Sequence, residues 1–225
     1  MKTTFTKVAV ATVLAGTTLF GGVASAATKE EKKVTDRYTA LKAGMTIEQV
    51  AKVIYGKDYK KQITTKGGST VFKIDPDMST TNQGYKTKMY RFLNEKTDMD
   101  VTGLIFMTKK KSSVYLLTQK TLTIFKESGY RESKMKLVKG KKIKTDMTEK
   151  QLDAILTGDG LGEWTSVTSV DWTPIQDKKE IEMGFAIKSL MKTYVFPTST
   201  KELKYVNMNY DYDKKTYIVA NQSSL

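Results

Sequence analysis

A segment that specifies a capped helix occurs twice in this chain, 102 residues apart, at positions 45–56 and 147–158. In each copy a threonine at the start can cap the helix. A glutamine three residues later completes a capping box. Apolar residues at helical spacing follow, and a glycine closes each copy where a helix often stops. These positions are Thr46, Gln49 and Gly56 in the first copy, and Thr148, Gln151 and Gly158 in the second. A duplicated unit is the simplest interpretation.

Strand-like segments follow each helix in the same order. Alternating apolar residues between turn signals predict strands at 70–74 and 85–93 and a hairpin over 101–118 after the first copy. They predict strands within 164–172 and 181–196 and a hairpin over 203–219 after the second. Residues 79–84 are predicted to be a polar loop. The helices and strands thus recur together.

These observations predict an α+β fold of two tandem repeats. Each repeat would hold a helical pair, packed on one face of an antiparallel sheet of about four strands. The predicted boundaries are an N-terminal segment at 27–40, a first unit at 41–128, a basic connector at 129–142 and a second unit at 143–225.

The first 26 residues have the pattern of a signal peptide. Lys2 and Lys7 precede an apolar run, and Ala24-Ser25-Ala26 is a small-residue cleavage site. We therefore expect a secreted or cell-wall-associated protein whose mature chain begins near Ala27. A retained membrane anchor is the less favoured alternative, because the apolar run is short.

The chain is strongly basic, with 38 Lys and Arg against 24 Asp and Glu. This charge favours anionic partners such as wall polymers or membrane surfaces, although basic secreted proteins are also common. Two lysine clusters are the candidate binding residues for such a surface: Lys109, Lys110 and Lys111 in a predicted turn, and Lys139, Lys141 and Lys142 in the connector. The alternative for each is a solvated charge run.

Catalytic chemistry has little support in the sequence. The chain has no histidine and no cysteine, which excludes imidazole-assisted and thiol nucleophiles and also disulfides. Asp98 and Asp100 could form a carboxylate pair, but turn geometry alone explains them and is the favoured interpretation. Asn209, Asp211 and Asp213 share a predicted strand face without the spacing of a calcium loop. We expect a non-enzymatic protein with no metal and no cofactor.

Aromatic residues on the predicted strands are candidates for binding a protein partner. A sheet with helices on one side leaves the other side free, and aromatic side chains are enriched at protein interfaces. The alternative is that most of them form the core. The partner-binding candidates are Tyr90, Trp164, Trp172, Tyr194, Tyr210 and Tyr212. Nucleic acid is not an expected partner, and a monomer is expected.

The segment Gly44-Met45-Thr46-x-x-Gln49-Val50, closing at Gly56 and followed by antiparallel strands, resembles the helix-helix-sheet unit of the beta-lactamase inhibitory protein family. A similar unit occurs in the small lipoprotein of the outer-membrane assembly machine. Two tandem copies in an exported chain resemble the inhibitor specifically. The resemblance implies paired sheets that form a concave saddle, grip a partner protein and perform no catalysis.

Two features depart from that family's pattern. Asp146 stands where the first copy has Gly44, and the inhibitor's disulfides cannot form without cysteine. By order within the unit, the inhibitor's loops would fall near Asp75-Pro76-Asp77 and Thr173-Pro174-Ile175, which adds Asp75 and Asp77 to the partner-binding candidates. Other tandem secreted modules, such as propeptide-type peptidase inhibitors, remain alternatives.

Overall fold

The computed structural model describes residues 29–93, 100–127, 129–200 and 202–224, and it shows a mostly-β protein. Its main feature is one continuous antiparallel sheet of eight strands, to which one further short strand is added at the side. The predicted α+β fold with two helical-pair repeats is therefore wrong. The two longest helices have 12 and 9 residues, and both lie before the first sheet strand.

The elements are as follows in chain order. The helices are α1 (Lys29–Ala40), α2 (Ile47–Tyr55), α3 (Tyr59–Gln62), α4 (Glu149–Asp153) and α5 (Lys178–Glu182). The strands are β1 (Ile63–Lys66), β2 (Ser69–Phe72), β3 (Met78–Asn82), β4 (Tyr85–Leu93), β5 (Asp100–Lys109), β6 (Leu116–Lys126), β7 (Gly129–Tyr130), β8 (Ser166–Asp171), β9 (Lys188–Pro197), β10 (Leu203–Asp211) and β11 (Thr216–Ser224).

The sheet consists of two four-stranded meanders joined edge to edge. Its strand order is β11-β10-β9-β8-β6-β5-β4-β3, so β3–β6 form a first meander and β8–β11 a second. Strand β6 pairs with β8 in antiparallel register, with Thr121 opposite Thr168. Strands β1 and β2 form a separate hairpin. The single sheet thus arises because the last strand of one meander pairs with the first strand of the next.

The local geometry of the two meanders repeats closely. Thr46 and Thr148 both form complete capping boxes, with nearly the same backbone angles. A β-bulge leaves Thr118 of β6 unpaired opposite Ile105 and Phe106 of β5, and a second leaves Ala220 of β11 unpaired opposite Asn207 and Met208 of β10, again 102 residues on. Bulges increase local twist and are specific features of a strand pair. The strand geometry therefore recurs at the same spacing, but within one continuous sheet and not in the two helical-pair repeats predicted from the sequence.

Two apolar clusters fill the space between the sheet and the helices. The first joins α2 to the first meander and includes Val50, Phe72 and Leu104. The second joins α1 and α4 to the second meander and to β6, and includes Tyr38 and Leu152. The face of the sheet that carries these clusters is called the helix face.

The segment 172–187 links β8 to β9 and reaches the first meander. The Lys109 ammonium lies 2.9 Å from an Asp177 carboxylate oxygen and 3.0 Å from one of Glu180. The Tyr85 hydroxyl donates to Glu180 at 2.7 Å. Ile175 is buried in a short 3-10 turn of this segment. The two meanders are therefore tied together by side chains as well as by the β6–β8 pairing.

Several predicted elements differ from those in the structure. Residues 78–82 form β3 rather than a loop, because β4 supplies the hydrogen-bonding partner that their polar sequence does not reveal. The second helix ends after five residues instead of continuing to Gly158. Part of the predicted strand at 181–196 is helical, since Asp177 caps α5 with its own capping box. The predicted signal peptide lies outside the described residues.

Candidate anionic-ligand cleft

The basic connector packs against the second meander. Backbone bonds join Leu137 N–H to Pro197 C=O at 3.1 Å and Val138 N–H to Ile155 C=O at 3.0 Å. Ile143 is buried in the second cluster. These bonds also explain why α4 ends early, because residues 155–157 pair with the connector instead of continuing the helix. Because both ends of this part of the connector are anchored to the second meander, the residues between them are held in a fixed position.

A tight turn presents the lysines of the connector. The Lys141 N–H donates to Val138 C=O at 3.0 Å, and Gly140 between them has φ +80°. Glycine adopts this left-handed conformation without steric cost, as the third residue of a type II turn requires. The turn leaves Lys139, Lys141 and Lys142 exposed.

These lysines line a cleft of about 330 Å³. One wall is the connector from Leu137 to Ile143, and the other is the β9–β10 turn with the neighbouring ends of β10 and β11. The opposite wall contributes polar groups and one further cation: Thr198, Ser199, Glu202, Lys204 and Gln222. The concave shape distinguishes this region from an ordinary solvated charge run.

The residues that line the cleft carry more positive than negative charge. Lys204 lies 2.9 Å from Glu202, and hydrogen bonds from Ser224 and Lys204 hold the pKa of the Glu202 carboxyl below its usual range. In the part of the chain that the structure describes, no carboxylate forms an ion pair with Lys139, Lys141 or Lys142. Four lysines therefore face one glutamate, and the excess positive charge favours an anionic ligand.

The second predicted lysine cluster is divided by the structure. Lys109 is held between Asp177 and Glu180, and its hydrogen bonds to them raise its pKa above the ordinary value. Lys110 and Lys111 are exposed in the β5–β6 turn. This cluster does not line the cleft, so the structure does not bring the two lysine groups together.

Three of the six aromatic candidates for partner binding lie in the core. Tyr90 is fully buried in the first cluster, and Tyr194 and Trp164 are buried in the second. They offer no surface to a partner in this structure. Arg131 stacks on the Trp164 ring at 4.7 Å, which further covers it.

The remaining partner-binding candidates are partly or fully exposed. Trp172 is half-buried at the start of the 3-10 turn. Tyr212 is exposed, and its ring lies 5.1 Å from that of Tyr210, which packs on the second cluster. Asp75 and Asp77 lie beyond the β1–β2 hairpin, and Asp77 accepts two hydrogen bonds from Arg91.

The carboxylate candidates show no metal centre. Asp98 lies outside the described residues. Asp211 accepts bonds from the Asp213 and Lys214 backbone, which is ordinary turn geometry. Across the described ranges no group of three or more acidic residues is arranged to hold a metal ion.

Only one wall of the cleft, the basic connector, could be recognised from the sequence. The lysine-glycine turn was visible as a basic run, but Lys204, Thr198 and Ser199 belong to a distant segment with no recognisable motif. The one available signal was the apolar residue Ile143 within the run, which indicated that the connector is anchored to the core.

A comparison with protein-family models, curated proteins and solved structures found no match. Within the described residues, no helix is long and apolar enough to cross a bilayer. The function therefore has to be argued from the site itself.

Proposed function

We propose that this chain is an exported, non-catalytic cell-envelope protein that binds an anionic wall polymer in the lysine-lined cleft. The observation that carries the proposal is the group of three exposed lysines on one anchored turn, facing the polar wall that contains Lys204. Lysine ammonium groups act as point charges for phosphate and carboxylate groups. The hydroxyl groups of Thr198 and Ser199 add hydrogen-bonding capacity at the same place.

The shape of the site favours a polymer over a membrane surface. The cleft is concave, and its cations line its walls. A flexible polyanion can enter such a cleft, whereas a flat bilayer contacts mainly convex surfaces. The repeating charge of a polymer also allows successive units to contact Lys139, Lys141 and Lys142.

The test measures binding to purified poly(glycerol phosphate), with uncharged dextran and phosphatidylglycerol vesicles as comparison probes. The cleft variant carries Lys139→Gln, Lys141→Gln and Lys142→Gln. The matched control carries Lys33→Gln, Lys57→Gln and Lys60→Gln, which removes the same charge from exposed positions elsewhere. We expect the cleft variant to bind roughly tenfold more weakly at about 0.1 M salt and the control less than about threefold more weakly, because screening limits distant charges.

Equal losses in the two variants would show that only net charge matters and would reject the cleft as the site. Tighter binding to vesicles than to the polymer would favour the membrane alternative. Absence of binding to the polymer by the unaltered protein at low salt would reject the proposed function itself.

A second candidate function is binding of a protein partner, and one observation favours it. Ile181, Met183, Phe185 and Ile187 are all large, apolar and 40–56% exposed within one seven-residue stretch. Such a patch often marks a protein interaction site. This candidate retains the non-catalytic partner binding that the resemblance to the inhibitor family implies, but it moves the contact surface away from the buried aromatic residues.

The second candidate is tested by adding the purified protein to a beta-lactamase assay and by retention of partners on immobilised protein. The variant carries Met183→Ser and Phe185→Ser, and the control carries Val114→Ser, which is 53% exposed elsewhere. Inhibition or retention that is lost in the variant alone supports the candidate. Identical behaviour of variant and control rejects it.

A further inference from the structure

The two edge strands of the sheet are unusually unprotected. Strand β3 reads MSTTN and strand β11 reads TYIVANQSS, so neither contains a charged residue or a proline. All five residues of β3 are exposed, as are residues 221–224 of β11. Natural proteins usually protect sheet edges with lysine, proline or a covering segment. Uncharged edges in a chain with 28% charged residues therefore require an explanation.

Strand β3 occupies the same place in the first meander that β8 occupies in the second. Met78 lies opposite Met89 in β4, and Ser166 lies opposite Thr193 in β9. Met89 and Thr193 are equivalent positions of the repeat, since β4 and β9 are related by a shift of 104 residues. The outer edge of β3 thus corresponds to the edge of β8 that pairs with β6.

Strand β11 in turn occupies the place of β6. Each of the two strands contains a bulge at the equivalent position. The segment that enters each capped helix pairs with the first residues of the strand, through the bridges Thr46–Leu116 and Thr148–Ile218. After the bulge, residues 119–123 of β6 pair with β8. The equivalent residues 221–224 of β11 pair with β10 alone among the strands of the described chain.

We infer that β11 of one copy pairs with β3 of a second copy, in the antiparallel register of the internal β6–β8 joint. This register places Ser223 opposite Thr80 and Asn221 opposite Asn82. The first of these pairs reproduces the hydroxyl pair Thr121–Thr168, whose oxygens lie 2.9 Å apart. Neither strand itself carries a charged residue into the joint.

Pairing of this kind joins different surfaces of the two copies. Each copy then keeps one free β3 and one free β11, so the assembly is head-to-tail and open-ended unless its rotation closes a ring. Only about five residues contribute from each strand, so the contact area is below that of a standard stable interface and the association is weak. Gln222 of the paired segment also lines the anionic-ligand cleft, so the second copy lies beside the cleft.

The absence of native cysteine makes a cross-linking test specific. In the variant Thr80→Cys/Ser223→Cys, directly opposed antiparallel positions fall near the separation that a disulfide needs. We expect mild oxidation to produce a ladder of dimers, trimers and higher species that collapses on reduction. The control Lys57→Cys/Lys178→Cys carries the same number of thiols at exposed positions away from both edges.

The result that would overturn the inference is a product distribution that stops at dimer, or an equal ladder in the control. A dimer formed by Ser223→Cys alone, without the second thiol, would show symmetric β11–β11 pairing and would also overturn it.

A charge exchange gives an independent measurement by sedimentation velocity. We expect the unaltered protein to gain mass between about 10 µM and 1 mM, as a weak interface would. Thr80→Lys/Ser223→Lys places like charges at the joint and is expected to stay monomeric. Thr80→Lys/Ser223→Glu places opposite charges there and is expected to restore association. Constant monomer mass of the unaltered protein over the whole range, or equal association of the two variants, would refute head-to-tail pairing.

Discussion

The two meanders have similar backbone geometry, but different elements cover them. In both, a capping box leads into the helix face and a bulge interrupts the last strand pair at the same position. The first meander is covered by the nine-residue helix α2 and the β1–β2 hairpin, whereas the second is covered by α1, the five-residue α4 and the connector. Local signals thus specify the strands, while different layers complete the two cores.

An equivalent contact between a lysine and a tyrosine ring also has different surroundings in the two halves of the chain. Lys88 lies over the Tyr115 ring at 5.7 Å, and the equivalent Lys192 lies over Tyr217 at 4.3 Å. Lys192 is buried with Glu149 4.0 Å away, and burial lowers the pKa of Lys192 and raises that of Glu149. Lys88 remains half-buried and bonds to Ser79. A repeated contact therefore became a desolvated charge pair only in the second half.

The largest expected effect tests whether the two halves unfold together. Phe72 lies in the β1–β2 hairpin, and its ring centroid is 5.0 Å from that of Tyr90 and 5.2 Å from that of Phe92. Phe72→Ala should lower the free energy of unfolding by about 3–5 kcal/mol. Both tryptophans lie in the second half, so urea titrations followed by tryptophan fluorescence and by circular dichroism should shift equally. A fluorescence midpoint that does not move would show independent halves; Thr70→Ala, exposed on the same strand, is the control.

The next effect concerns Lys120, a buried lysine of the first meander whose equivalent position in the second meander is not a lysine. Lys120 donates hydrogen bonds to the carbonyl oxygens of Tyr38 and Leu41, at 2.8 and 2.7 Å, and the equivalent position in the second half is Gln222. Burial, with a smaller contribution from Lys42, lowers the pKa of Lys120 to about 7. The unfolded chain therefore binds more protons between pH 7 and 10.5, and this contribution to stability rises with pH in that window.

We expect the unaltered protein to gain about 2 kcal/mol in the free energy of unfolding from pH 7 to pH 9 through this group. Lys120→Gln should remove most of that gain, and the exposed substitution Lys73→Gln should not. Urea titrations at the two pH values measure the difference. A variant with the slope of the unaltered protein would show that Lys120 stays protonated in the fold.

A smaller effect is expected from exchanging the residues before the two capped helices. Gly44 has φ +84° and Asp146 has φ +65°, a conformation that costs a side chain about 1–2 kcal/mol. A Cβ at Gly44 would also meet the Pro174 ring at 3.4 Å. Gly44→Asp should therefore lower the thermal midpoint, and Asp146→Gly should raise it slightly. Shifts of the same sign would contradict the equivalence of the two turns.

The smallest effect is expected from the caps themselves. The Thr46 and Thr148 hydroxyls each accept from a backbone N–H at 3.3 Å. Thr46→Ala and Thr148→Ala should each cost about 1 kcal/mol, measured by urea titration. A cost at Thr148 that is negligible beside that at Thr46 would show that α4 is too short for its cap to matter. The serine variants should retain most of the stability in both cases.

Local features could be predicted from the sequence because they depend on neighbouring residues. The capping boxes, β4 and the last hairpin were predicted close to their observed bounds. The β6–β8 joint could not be predicted, because Thr121, Thr168 and Ser166 carry no apolar pattern and pair across more than 40 residues. Period-two alternation around Tyr90 and Tyr194 separates two faces but does not tell which face the helices cover.

The β6–β8 joint also has a kinetic consequence. The other strand pairs of the main sheet join strands that follow one another in the chain, and the longest of these connections is the segment 172–187 between β8 and β9, so each meander can form without the other. The joint requires closure of the long segment between β6 and β8, which costs more chain entropy and therefore comes later. During refolding at high concentration, β8 of one molecule can meet β6 of another before its own, and exchanged dimers are the expected by-product.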